Sequence, residues 1–274
     1  MAEPTAGQLG LLVVAIVLFA AGVALSAWRI WGTGTAQTER LRVAAKACTY
    51  AGLATAAGVL VWHSVDRRNW LPLADNFDSL VWLGLLLVLF VLYTQRTRPL
   101  RGLDWFVMPI AILLLVGAAV FGRTKPHEYD VRSVWLWTHR VTAYGGAVAF
   151  AVAGAAGAMY LIVNRRLRDK SSGPGPNLGS LERLERLTFA SVTLGFALFT
   201  IGAVTGGVRM FAEENHIGHA KNVAIAMAIA GWLVYGIVLH SPLNPSFRGR
   251  RAAVLSVVGF VLMVGTIFAV QFTD

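Results

Sequence analysis

The chain has 274 residues, of which 56% are hydrophobic and only 14% are charged, and its formal net charge is +10. The apolar residues fall in blocks of about twenty, which is the length that a helix needs to cross the hydrocarbon core of a bilayer. This distribution excludes an ordinary soluble domain. The basic residues are spread over short loops and form no single binding face, which argues against a nucleic-acid partner.

Eight apolar blocks are predicted to be transmembrane helices. Backbone amides must be paired in lipid, so the predicted fold class is all-α, a polytopic membrane helix bundle in which residues 1–274 form a single transmembrane domain. In chain order the predicted spans are Leu11–Ile30, Val43–His63, Ser79–Tyr93, Trp105–Phe121, Trp135–Val163, Leu187–Val208, Val223–Leu239 and Ala252–Phe272. The first block is too long for a signal-peptide core and lacks a basic leader, so we expect it to be retained.

The lysines and arginines predict the orientation of the chain. Sixteen of the 24 lie in or beside alternate loops: Arg29, Arg40, Arg42, Lys46, Arg96, Arg98, Arg101, Arg165, Arg166, Arg168, Lys170, Arg183, Arg186, Arg248, Arg250 and Arg251. The positive-inside rule places these loops in the cytoplasm and both termini outside. Residues 165–186 then form a basic cytoplasmic loop between helices 5 and 6. We therefore expect a multi-pass protein of the cell (inner or cytoplasmic) membrane.

Two histidines are predicted at matching depth near the outer surface. His63 closes the second span and His139 lies one turn into the fifth. Each caps a stripe of mostly small residues at helical spacing, which lets helices pack closely or leaves room for a flat ligand. Two neutral imidazoles at one depth could ligate haem iron axially. The alternative is that each imidazole simply bonds a neighbouring helix or interfacial water, and the spacing leaves both interpretations open.

The other histidines give weaker signals. His240 ends the seventh span on the cytoplasmic side, roughly 30 Å from the first pair at about 1.5 Å per residue, so it cannot share a ligand with them. His127, His216 and His219 lie in outer loops without a fixed third ligand, so we predict no metal site beyond haem iron.

Five of the nine tryptophans gather near the predicted outer boundary: Trp62, Trp70, Trp82, Trp135 and Trp137. They predict either an aromatic belt at the headgroups or a platform on which a planar macrocycle stacks.

Short signatures follow one another in a characteristic order along the chain. They are the segment Leu71–Leu80; His139 with Tyr144 and Tyr160-Leu161; Leu181–Leu187 with Gly195-Phe196 and Thr205–Gly207; and Gly231–Tyr235 through His240 with Arg248–Ala253 and Gly259-Phe260. This order resembles the cytochrome c assembly protein family, which includes the CcsA and CcmC haem-handling proteins and the related HemX proteins. The resemblance runs from about Trp70 to Phe272.

The resemblance implies haem as cofactor and assigns candidate ligands to it. His139 matches the family's first outer histidine, and His240 matches the inner histidine that the family uses for haem within the membrane. His63 has no clear family counterpart, and we predict it as a substitute axial ligand because of its depth. Two departures stand out: Phe211–Asn222 lacks the tryptophans of haem-transferring members, and the family's second outer histidine, which lies in a later outer loop, has no clear equivalent before Asp274.

The function implied is a haem-binding or haem-handling membrane protein, HemX-like or CcsA-like, that supports cytochrome c assembly. Its expected partners are haem, the lipid bilayer and other cytochrome c biogenesis or tetrapyrrole-synthesis proteins. The alternative is a regulatory or scaffolding protein of the same pathways that has lost haem transfer. With one cysteine, Cys48, and no recognisable catalytic dyad, the chain is not expected to act as an enzyme on its own.

Overall fold

The computed structural model describes residues 3–31, 35–68, 70, 73, 75–97, 100, 102–122, 134–169, 179–212, 219–241 and 247–271. Their regular structure consists of eight helices: α1 (Ala6–Trp31), α2 (Thr35–Asp66), α3 (Asn76–Thr97), α4 (Leu103–Phe121), α5 (Val134–Arg168), α6 (Leu181–Ala212), α7 (His219–Leu239) and α8 (Arg250–Gln271). Each helix is long and apolar enough to cross a membrane. The predicted all-α membrane class and its eight spans are confirmed, and the placement of the termini stays a prediction.

Several helices continue beyond the predicted apolar spans. α6 begins at Leu181 rather than at Leu187, and the added turn contains an ion pair of 2.9 Å between Arg186 and Glu182. α5 has 35 residues and ends on three arginines. Backbone hydrogen bonds do not stop where apolar residues stop, and pairs at i,i+4 favour the helix in water. Apolar length therefore marks the membrane-crossing part of a helix and not its end.

The described helices divide into two compact units, and the first comprises Met1–His127. In this unit α1 packs against α2 and α4, and α3 packs against α2 and α4. The small residues of α2 serve this packing: Ala56 and Val59 are fully buried, and a Cβ added at Gly52 would lie 2.9 Å from the Phe19 ring. The stripe that precedes His63 thus brings α2 close to α1.

The second unit comprises Glu128–Asp274. Here α5 packs against α6 and α8, and α7 packs against α6 and α8. Phe150 and Tyr235 stack at the centre with ring centroids 3.7 Å apart. A Cβ added at Gly146 would lie 3.1 Å from Phe199 of α6. The stripe that follows His139 is therefore filled by α6.

The tryptophans named above lie mainly on surfaces. Trp62, Trp70, Trp135 and Trp137 are exposed. Exposed rings at helix ends are typical of an aromatic belt, because the ring lies among headgroups and stays outside the protein core.

Candidate functional site

His63 lies in the last turn of α2 and is buried, with 1% of its surface exposed. Its Nδ1 is 3.2 Å from Gln8 Oε1, and its Nε2 is 3.0 Å from Asp75 Oδ2. Gln8 Oε1 also accepts a hydrogen bond from the Thr5 backbone N–H, so this oxygen acts as an acceptor. Both ring nitrogens of His63 thus face acceptor oxygens.

Arg67 follows His63 by four residues and bridges two carboxylates. Its Nη1 is 2.8 Å from Asp75 Oδ2 and its Nη2 is 2.8 Å from Asp78 Oδ2. The side chains of Arg67 and Asp78 are each 1% exposed. Asp75 also accepts a 2.7 Å bond from the Asp78 backbone N–H, so it caps α3. We call Gln8, His63, Asp66, Arg67, Asp75 and Asp78 the histidine–aspartate cluster.

This cluster joins the start of α1, the end of α2 and the start of α3. Gln8 donates a 2.7 Å hydrogen bond to Asp66, and the His63 ring packs against Phe77 with centroids 4.9 Å apart. Ligand atoms of His63, Asp75 and Asp78 lie within 4.8 Å of one another, which is the spacing of a potential metal site. The Arg67 guanidinium already contacts both carboxylates, so a cation would have to displace it. The arrangement favours an ion-pair cluster over a metal centre.

The charge of Asp75 depends on these neighbours. Burial alone would raise the pKa of Asp75, but hydrogen bonds with His63 and the Asp78 backbone, together with the charges of His63 and Arg67, hold it below its ordinary value of 3.8. Asp75 is therefore ionised wherever the protein is folded near neutral pH.

Acid is expected to destabilise the cluster. Because the pKa of Asp75 is lowered in the folded state, its contribution to stability is complete above the unfolded value of 3.8 and is lost as pH falls through the folded value. We expect the unfolding temperature of the detergent-solubilised protein to decline below about pH 3.8, and Asp75→Asn to lack this part of the decline. The exposed Asp169→Asn should behave as wild type. An identical acid decline in wild type and Asp75→Asn would contradict the assignment.

His139 lies in the second unit, near the start of α5, and is half-buried. Its Nδ1 is 2.6 Å from the carbonyl oxygen of Gly202 on α6. A carbonyl only accepts, so Nδ1 carries a proton and donates this bond. The ring lies directly over Gly206, where an added Cβ would come within 2.7 Å of Cε1. Two glycines one turn apart thus set the position of the imidazole.

His240 follows the last residue of α7 and is exposed. Its Nδ1 donates a 2.7 Å hydrogen bond to the carbonyl oxygen of Gly236, one turn back on the same helix. Ser241 lines one cavity together with Arg168 at the end of α5. His139 precedes Arg168 by 29 residues of helix, or roughly 40 Å. The two histidines therefore lie at opposite ends of their unit.

The predicted ligands are divided between the two units. His63 belongs to the first unit and His139 to the second, so their sharing of one iron stays a prediction. His127 and His216 lie outside the described residues, as do residues 213–218 of Phe211–Asn222.

The sequence interpretation missed the partners of His63. The His63–Arg67 spacing of four residues, and Asp75 and Asp78 three residues apart at a helix start, were signals that could have pointed to them. Gln8 was another such signal, because it is a polar amide within an apolar helix.

Comparison with known proteins places this chain among relatives of one kind. Residues 70–274 match the family model described as Cytochrome C assembly protein. Similar proteins named Cytochrome c biogenesis protein CcsA occur in Synechococcus sp. (strain CC9605), with 26% identity over 90% of this chain and 88% of the relative. The protein of the same name in Prochlorococcus marinus (strain MIT 9303) is 25% identical over 93% of this chain and 87% of the relative. That of Guillardia theta is 23% identical over 72% of each chain. No solved structure matches the chain significantly.

Proposed function

Because this chain belongs to the cytochrome c assembly protein family, we propose that it is a haem-binding membrane protein that supports cytochrome c assembly. The names of its relatives, cytochrome c biogenesis proteins, support this role. We further propose that it lies in the cytoplasmic membrane with its basic helix ends inside, where it meets other proteins of cytochrome c biogenesis or tetrapyrrole synthesis.

The observation that carries the proposal is the bond between His139 Nδ1 and the Gly202 carbonyl. A histidine that ligates a metal usually donates its other N–H to a carbonyl or carboxylate, which fixes the ring and raises the basicity of the ligating nitrogen. Here the fixed nitrogen is Nδ1, so Nε2 of His139 is the nitrogen that would bind iron from the neutral ring. When bound, haem would supply an iron that accepts this lone pair, and the protein's own part is to hold the ring in place.

We propose His240 as the ligand of a separate inner site. Its Nδ1 donates to Gly236 in the same way, although the carbonyl belongs to its own helix. Such a bond orients the ring less firmly, because the side chain and its acceptor lie on one exposed turn. His240 therefore suits a site through which haem passes more than one that retains it.

We also propose His63 as the second outer ligand, although iron binding there would require the loss of an existing hydrogen bond. Nε2 would have to lose its proton and exchange Asp75 for iron. The cluster around His63 also favours the alternative function, a regulatory or scaffolding protein without haem transfer. In that case His63 acts only as a buried link between α1, α2 and α3.

Haem titration of the purified protein in detergent tests the proposal, with Gly206→Ala and Gly207→Ala as a matched pair. The Cβ at position 206 would meet the His139 ring at 2.7 Å, whereas nothing lies within 4 Å of a Cβ at position 207. We expect wild type and Gly207→Ala to develop a histidine-ligated Soret band, and Gly206→Ala to bind haem about 10-fold to 100-fold more weakly, as for other losses of ligand orientation.

Two results would count against this assignment. If Gly206→Ala and Gly207→Ala bind haem equally, His139 does not hold the iron from its present position. If wild type binds no haem under any condition, the regulatory alternative replaces the proposal.

A further inference from the structure

A cavity of about 910 Å³ opens at one end of the second unit, where α5 and α7 end and α6 and α8 begin. Its lining includes four arginines and two glutamates: Arg168, Arg186, Arg248, Arg250, Glu182 and Glu185. The lining therefore has an excess of two positive charges. One glutamate is already engaged, because Glu182 accepts a 2.9 Å bond from Arg186.

The cavity lies at the level where the helices change from apolar to polar. On α6 the change falls between Arg186 and Leu187, and on α8 between Arg251 and Ala252. The deeper lining is apolar and includes Val238 and Ala252. A ligand that fills this space has to be charged at one end and apolar at the other.

The charges fit an anion of phosphate type. Arginine presents a planar fork of donors that matches phosphate oxygens, and several arginines around one cavity can bind them from different sides. The first turn of α8 also lines the cavity and contributes the positive end of its helix dipole. The distribution of basic residues predicts that this end faces the cytoplasm, where the leaflet carries anionic lipids.

We propose that this cavity binds the headgroup of an anionic phospholipid, with the acyl chains continuing along the apolar surface of the helices. None of the described residues that line the cavity is a histidine, so this site is inferred without the proposed haem ligands. One lipid molecule would then contact α5, α6 and α8 at the ends that are predicted to face the cytoplasm.

The test measures binding of phosphatidylglycerol to the full chain held in phosphatidylcholine nanodiscs. The double variant Arg248→Ala, Arg250→Ala is compared with Arg165→Ala, Arg166→Ala. The control removes the same charge from exposed positions at the end of α5 that do not line the cavity. We expect the cavity variant to bind phosphatidylglycerol about 30-fold more weakly, since each of the two arginines at the headgroup contributes about fivefold. The control should change affinity by no more than about twofold.

A conservative variant separates recognition from folding. Arg248→Lys, Arg250→Lys keeps the charge and loses the planar fork, so an affinity between wild type and the alanine variant is expected. Helical circular dichroism and gel filtration verify that each variant is folded.

Three outcomes would overturn the proposal. Equal losses in the two alanine variants would mean that general surface charge attracts the lipid. Displacement of the lipid by inorganic phosphate or glycerol phosphate at comparable affinity would identify a soluble anion as the ligand. Displacement by one equivalent of haem, with loss of haem binding in the alanine variant, would make the cavity a haem site instead.

Discussion

Replacing His139 with alanine is expected to remove the contribution of the outer site to the haem absorption band of the purified protein, at haem concentrations that saturate wild type. The substitution removes the imidazole whose Nδ1 bonds Gly202, and with it the nitrogen proposed to bind iron. Loss of a ligand should weaken binding by more than about 100-fold, the upper range for losing only a ligand's supporting bond. Visible spectra of wild type and His139→Ala, titrated with haem in the same detergent, make the measurement.

Free imidazole provides the decisive control for this variant. Gly206 leaves room for a ring at this position, so added imidazole should enter the space and restore part of the band. Thr138→Ala is the matched neighbour, because the Thr138 hydroxyl bonds only its own helix at the Val134 carbonyl. A full band in His139→Ala would contradict the assignment. A band lost in both His139→Ala and His63→Ala, with both variants folded, would support the outer pair.

The second large effect is expected from Arg67→Ala. The variant leaves Asp75 and Asp78 buried together without the guanidinium that lies 2.8 Å from each. Breaking a buried ion pair by removing one partner typically costs about 3–5 kcal/mol, because an uncompensated charge remains in a low dielectric. Chemical unfolding of the detergent-solubilised protein should show a loss of this size in the unit that contains α1 to α4.

Arg42→Ala is the matched control in the same unit. Arg42 pairs with Glu39 at 2.5 Å, but the two side chains are 50% and 58% exposed, so solvent screening reduces the loss to about 0.3–0.5 kcal/mol. Equal destabilisation by the two variants would show that the cluster does not stabilise the fold. The triple change Arg67→Met, Asp75→Asn, Asp78→Asn should recover part of the loss, since it removes the guanidinium together with both carboxylates that it pairs with.

The helices of this protein could be predicted from the sequence because each contains one apolar block long enough for a bilayer. Their ends could not. The first turn of α6 and the last turns of α5 are charged, and a rule based on apolar length ends before them. The physical reason is that helix formation and transfer into lipid are separate processes with different sequence requirements.

The sequence allowed the candidate histidine ligands and their depth in the membrane to be predicted, but not their hydrogen-bond partners. The acceptor for His139 is a backbone carbonyl on α6, which depends on how α5 and α6 pack and leaves no signature at position 202. His63 faces Gln8, 55 residues earlier in the chain. A pairing of that kind becomes visible only when α1 and α2 are placed side by side.

The length of α5 has a consequence for how a soluble protein can reach this one. Its 35 residues extend about 52 Å at 1.5 Å per residue, whereas the hydrocarbon core is about 30 Å thick. An average tilt of about 20° absorbs only a small part of the difference. The last turns, including Arg165, Arg166 and Arg168, are therefore expected to extend beyond the hydrocarbon core into the headgroup layer and the water. We expect that an acidic soluble protein could bind these arginines without entering the hydrocarbon core.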